Sequence, residues 1–110
     1  GFSQGAIIGA SVTLSRPELV AGLVMLSGRI LPEARPTFAP AEQLQTANVF
    51  VAHGVYDAKL GIHHGRASQG LLTDLSVNLT YREYDMGHDI TTTELADVNA
   101  WLIERLGPLA

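Results

Sequence analysis

The chain has 110 residues, 46% hydrophobic and 16% charged, with a formal net charge of −4 and no cysteine. That length holds one domain at most, and the composition is that of a packed globular piece rather than a disordered one. The acidic balance and the lack of any Lys/Arg cluster exclude a nucleic-acid surface, the missing cysteines exclude disulfides and thiolate metal sites, and no apolar run reaches membrane-spanning length.

The chain opens on Gly1-Phe2-Ser3-Gln4-Gly5, a G-x-S-x-G pattern. In a nucleophile elbow this pattern sets a serine on a strained turn between a strand and a helix. Gly1 and Gly5 are expected to remove side chains that would collide with the neighbouring strand and helix. The Ser3 hydroxyl would then stand at the carboxyl edge of a sheet, with the Gln4 backbone N–H facing the place where an oxyanion forms. Alone, the five residues read equally well as a glycine-flanked turn with an idle serine.

From Gln4 to about Ser15, bulky Ile7, Ile8 and Leu14 alternate with small Gly5, Ala6, Gly9 and Ala10. Glycine is poor in helices, so this segment reads as a buried helix held by packing and ended at Arg16-Pro17. Gly22–Gly28 is a short apolar run that fits a strand buried on both faces. The loop holding Pro32, Pro36 and Pro40 is expected to carry little regular structure. Asn48–Gly54 is a second buried strand. Gly65–Leu75 places Ala67, Leu71, Leu72 and Leu75 at helical spacing. Val77, Leu79 and Tyr81 alternate with polar residues, as on a strand near a sheet edge. Thr91-Thr92-Thr93-Glu94 fits a capping box opening a last helix with an apolar stripe of Leu95, Val98, Leu102 and Leu106, stopped by Gly107-Pro108. This alternation predicts a parallel sheet with right-handed crossovers in a three-layer α/β architecture.

Ligands of such sheets bind beyond the carboxyl ends of the strands, and two chemically useful residues fall there. Asp57 follows the strand end His53-Gly54, and His88 follows the final strand in Asp85-Met86-Gly87-His88-Asp89. The order Ser3, Asp57, His88 is that of an α/β-hydrolase triad. His88 would take the Ser3 proton as general base, and Asp57 would fix the imidazole tautomer and stabilise the imidazolium.

Other candidates receive plainer readings. His53 belongs to a strand end and reads as structural rather than as the base. His63 and His64, adjacent on a helix, should point apart and make a poor metal pair. His88 with Asp85 and Asp89 lacks a third metal ligand, and the two acids read as loop and helix-start residues. Trp101 extends the core of the last helix. Tyr56 either lines an acyl site or covers the strand end.

These residues resemble the carboxyl-terminal half of the phospholipase/carboxylesterase family, which includes acyl-protein thioesterases. The matching residues are Gly1-Phe2-Ser3-Gln4-Gly5, Leu26-Ser27-Gly28 with Leu31-Pro32, His53-Gly54 with Asp57, Gly65, and Gly87-His88, from residue 1 to about 106. The resemblance implies an α/β-hydrolase fold, with residues 1–110 as the carboxyl-terminal portion of one domain. It implies Ser3 as nucleophile, Asp57 as acid, His88 as base and the Gln4 amide as oxyanion donor. The implied reaction is hydrolysis of small or medium acyl esters, thioesters or lysophospholipids through an acyl-enzyme, with no metal or organic cofactor. Asp57-Ala58-Lys59-Leu60-Gly61 departs from the family, which has apolar residues and proline after the acid, and this bears on substrate preference.

The family's second oxyanion donor lies on a loop ahead of the elbow. The expectation is therefore that a complementary amino-terminal chain or segment completes the enzyme, and that these 110 residues alone are not competent. A cytoplasmic location is expected. The reading of a different class is an inert α/β fragment serving as a folding or interaction unit. A dienelactone-hydrolase-like enzyme is disfavoured by serine where that family carries cysteine.

Overall fold

A computed structural model describes residues 1–107. Helix α1 (Gln4–Ser15) leads to strand β1 (Leu23–Leu26), a 3-10 segment at Pro32–Thr37 and a short helix α2 (Ala41–Leu44). Strand β2 (Asn48–Gly54), helix α3 (Ile62–Asp74), strand β3 (Asn78–Tyr84) and helix α4 (Thr92–Leu106) complete the order. The sheet runs β1-β2-β3 with both pairings parallel. Leu26 lies opposite Ala52 and Gly54 opposite Tyr84, so the carboxyl ends of the strands share one edge. The elbow forms a fourth position beside β1. Phe2 bridges Leu26, the Leu26 N–H donates to the Gly1 carbonyl (2.9 Å), and the Ser3 N–H donates to the Leu26 carbonyl (2.8 Å).

Alternation of side chains across the strands sorts the core into two layers. On one face Leu23, Met25, Val49 and Val51 pack with Ala6, Ala10 and Leu14 of α1 and Leu72 of α3. On the other, Leu26, Phe50 and Ala52 pack with Val98 and Trp101 of α4. Trp101 is a core residue, its ring tilted against Phe50 at 5.7 Å between centroids, a favoured aromatic geometry. Central β2 is buried from Val49 onward, whereas β3 at the sheet edge has no fully buried residue. No helix among the described residues is long and apolar enough to cross a membrane.

The sequence expectations differ from the structure at several places. The proline-rich loop is more regular than expected, because Pro32 fits the first turn of a 3-10 segment. Helix α3 starts three residues early, at Ile62, and buries Gly65, Ser68 and Leu72 while Ala67 is exposed. Ser68 is tolerated inside because its hydroxyl donates to the His64 carbonyl (2.9 Å). The third difference is the buried face of α4, which is Glu94, Val98 and Trp101, with Leu95 50% exposed and Leu106 also exposed. Last, a Cβ at Gly5 would meet nothing within 4 Å among the described residues, so glycine is not required there by what surrounds it. Gly107 ends α4 with φ 77°, whereas Pro108 lies outside the described residues.

Glu94 carries a consequence for stability. Thr91 caps α4 by accepting from the Glu94 N–H (3.3 Å), but the other half of a capping box does not form. The Glu94 carboxylate is wholly buried, and both its oxygens lack a partner among the described residues. The Thr91 amide faces it and partly offsets the shift, without closing a hydrogen bond of good geometry. Burial pushes its pKa up to about 7, with Asp89 adding to the rise. An acid whose folded pKa is raised loses its proton first in the unfolded state. Stability therefore falls as pH rises from about 4.5 to about 7 and is level beyond, by roughly 3 kcal/mol at most. Glu94→Gln is expected to remove this slope and to exceed the parent in urea unfolding at pH 8, with little difference at pH 4. A parent that is the more stable at pH 8 would refute it.

Candidate active site

Ser3 stands at the amino end of α1 with φ 56° and ψ −116°, a conformation costly for a residue with a side chain. It is held from both sides. Its N–H is tied to the Leu26 carbonyl, and its own carbonyl accepts from Ile7 (3.1 Å). Gly1 makes the turn possible, since a Cβ there would lie 2.5 Å from the Gly5 carbonyl carbon and 2.7 Å from the Ala6 nitrogen. The Gln4 N–H, at the first turn of α1, donates no hydrogen bond among the described residues and is available to an oxyanion.

Asp57 lies in the turn after β2, with a fully buried side chain. Its Oδ1 accepts from the backbone N–H groups of Lys59 (2.9 Å) and Leu60 (2.7 Å), and its Oδ2 lies 2.6 Å from His88 Nδ1. Burial alone would raise its pKa, but the Leu60 amide, the His88 imidazole and the Lys59 amide together hold it below the usual carboxylate value. The group is thus ionised at neutral pH. Asp57-Ala58-Lys59-Leu60-Gly61, which departs from the family pattern, grips the acid through the Lys59 and Leu60 amides, donors that any residue but proline would keep.

His88 follows β3 on a loop, with its side chain 13% exposed. A carboxylate only accepts, so Nδ1 carries the proton, and the lone pair of Nε2 is left toward Ser3 Oγ at 3.0 Å. This tautomer is the one a general base needs. Phe2 packs on the ring, 4.9 Å between centroids. The apolar x of G-x-S-x-G thereby steadies the imidazole, a role the motif alone does not declare.

His53 is wholly buried behind this array. Its Nε2 lies 2.6 Å from the Leu60 carbonyl and must donate to it, and the same nitrogen is 3.5 Å from Asp57 Oδ2. Gly65 of α3 sits directly on the ring, since a Cβ there would come within 2.9 Å of it. His53 is therefore a post for the acid loop, in line with its structural reading. His63 and His64 do not point apart as expected, because their rings lie 4.0 Å apart. No group of acids and histidines suited to a metal ion occurs among the described residues, and Asp89 accepts from the Ile90 N–H on its own loop. Tyr56, next to Asp57 in the chain, is exposed and tied through its N–H to the Met86 carbonyl.

A model of the Phospholipase/Carboxylesterase family matches residues 1–105. The chain is 29% identical over 113 residues to acyl-protein thioesterase 1 of Neurospora crassa, covering 100% of this chain and 46% of that protein. It is 27% identical over 107 residues to the probable carboxylesterase SOBER1-like of Arabidopsis thaliana, covering 96% and 41%. Among solved structures, Arabidopsis thaliana SOBER1 superposes with TM-score 0.85 at 26% identity, over 96% of this chain and 51% of that one. Zea mays acyl-protein thioesterase 2, at 24% identity and TM-score 0.80, shows the same fold. The chain spans about half the length of the curated relatives it matches. With an α/β-hydrolase sheet, a serine elbow at its carboxyl edge and a family match over nearly its whole length, the chain belongs to the phospholipase/carboxylesterase family.

Proposed function

We propose that residues 1–110 carry the catalytic triad of a serine hydrolase that cleaves carboxylic esters and thioesters through an acyl-enzyme. The observation that carries this reading is the continuous array Ser3–His88–Asp57, at 3.0 Å and 2.6 Å, with the imidazole in the tautomer of a base. Ser3 Oγ adds to the acyl carbon as its proton passes to His88 Nε2. The oxyanion gathers on the Gln4 N–H, and the imidazolium is stabilised by Asp57. His88 then gives the proton to the leaving alcohol or thiol as the carbon–oxygen or carbon–sulfur bond breaks. Water, deprotonated by the same histidine, releases the acid and restores Ser3.

We also propose that an amino-terminal segment or chain completes this enzyme. The support is exposed apolar surface on the elbow helix, where Ile8 is 65% and Val12 46% exposed, and the Gln4 N–H as the one oxyanion donor assigned among the described residues. Lacking a second donor costs about 100- to 1,000-fold in turnover. A stopped-flow burst of about one equivalent of nitrophenol from p-nitrophenyl acetate is expected from the full-length natural protein. Residues 1–110 alone are expected to give none on the same timescale. A folded 110-residue monomer with full esterase activity would refute the need for a complement, and no burst from the full-length protein would refute the acyl-enzyme.

A further inference from the structure

A cavity of about 410 Å³ lies between the loop after β1 and helix α3, lined by apolar Ile30 and Leu71 together with Arg29, Arg35 and His64. Its charge is one-sided. The chain has 11 acidic side chains against 7 Lys and Arg, yet two of those seven line this cavity and no Asp or Glu does. Neither Arg29 nor Arg35 makes an ion pair or a side-chain hydrogen bond among the described residues, whereas Arg16 and Arg66 are each paired with a glutamate. His64 senses the same crowding. Burial first, then His63, Arg29 and His53, hold its imidazole below its ordinary pKa.

Two lining residues, Arg29 and His64, are chain neighbours of glycines that pack on the catalytic array. Gly28, the residue before Arg29, lies against the first turn of α1, where a Cβ would be 3.4 Å from the Ser3 carbonyl oxygen. Gly65, the residue after His64, rests on the His53 ring that posts the acid loop. An apolar lining suits a short run of methylenes, and two unpaired guanidinium groups suit a planar or tetrahedral anion at its end.

We propose that this cavity is a substrate subsite for a second, anionic group of the ester, a carboxylate or phosphate carried on either the acyl or the alcohol portion. The proposal rests on the ester-hydrolase reading above and names the class of ester. Charge-assisted hydrogen bonds of this kind correspond to about 10- to 100-fold in discrimination.

The test uses the full-length natural protein and its Arg29→Ala/Arg35→Ala variant. One pair of substrates, mono-p-nitrophenyl suberate against p-nitrophenyl octanoate, places the anion on the acyl portion. A second pair, 4-acetoxybenzoate against phenyl acetate, places it on the alcohol portion. In one of the two pairs the ratio of kcat/KM for the charged over the neutral ester is expected to fall about 10- to 100-fold in the variant. Unchanged ratios in both pairs would overturn the subsite. A binding measurement separates this outcome from failure of the hydrolase reading. Suberate titrated into the protein is expected to shift the His64 ring proton resonances, at about 10- to 100-fold lower apparent affinity in the variant. Shifts without turnover would remove the reaction and keep the anion site, and no shift at His64 would overturn the site itself.

Discussion

On the proposed mechanism, Ser3→Ala is expected to lower ester turnover by the full-length protein about a million-fold, to the residue left by binding and the oxyanion donor. The reason lies in the array at the elbow. His88 Nε2 has its lone pair toward Ser3 Oγ at 3.0 Å. The proposed mechanism makes Ser3 and His88 one unit, so His88→Ala should cost about as much, and the double variant little more. The strained Ser3 backbone, φ 56°, is held by main-chain bonds to Leu26 and Ile7 that alanine keeps, so the loss should appear in kcat with the fold intact. Steady-state kinetics of the three variants checks this. Additive losses, or retention of more than about a hundredth of parent activity in Ser3→Ala, would contradict the assignment.

Asp57→Asn is expected to cost about 10,000-fold, through the tautomer and not through the fold. The Lys59 and Leu60 amides both donate to Oδ1, so an asparagine must present its carbonyl oxygen to them. Its NH2 group then faces His88 Nδ1, now 2.6 Å from Oδ2. A donor there forces the imidazole proton onto Nε2, which can no longer accept from Ser3. The loss should be largely in kcat, with circular dichroism unchanged. A loss below about tenfold would mean that Asp57 only holds its loop.

Much of this was legible in the chain because the chemistry sits at strand ends. Asn48–Gly54 matches β2 residue for residue, and Asp57 and His88 fall just beyond β2 and β3. The residues that support them were not legible. Phe2 reads as an unspecified position, and the grip on Asp57 comes from the amides of Lys59 and Leu60, which side-chain chemistry does not reveal. The α4 stripe shifted for a related reason. A charged residue is normally excluded from an inner face, so the apolar spacing points to Leu95, whereas the helix buries Glu94 with Val98 and Trp101. The first turn of α3 is hidden in the sequence because His63-His64-Gly65 has poor helix propensity, and Gly65 is there to admit the His53 ring.

The central claim is that Ser3 is an activated nucleophile. Intact mass spectrometry of the full-length protein after a fluorophosphonate probe tests it most directly. One phosphonyl adduct that maps to Ser3, and is absent from Ser3→Ala and His88→Ala, is the expected result. No adduct on the folded protein, or an adduct that persists in Ser3→Ala, would contradict it.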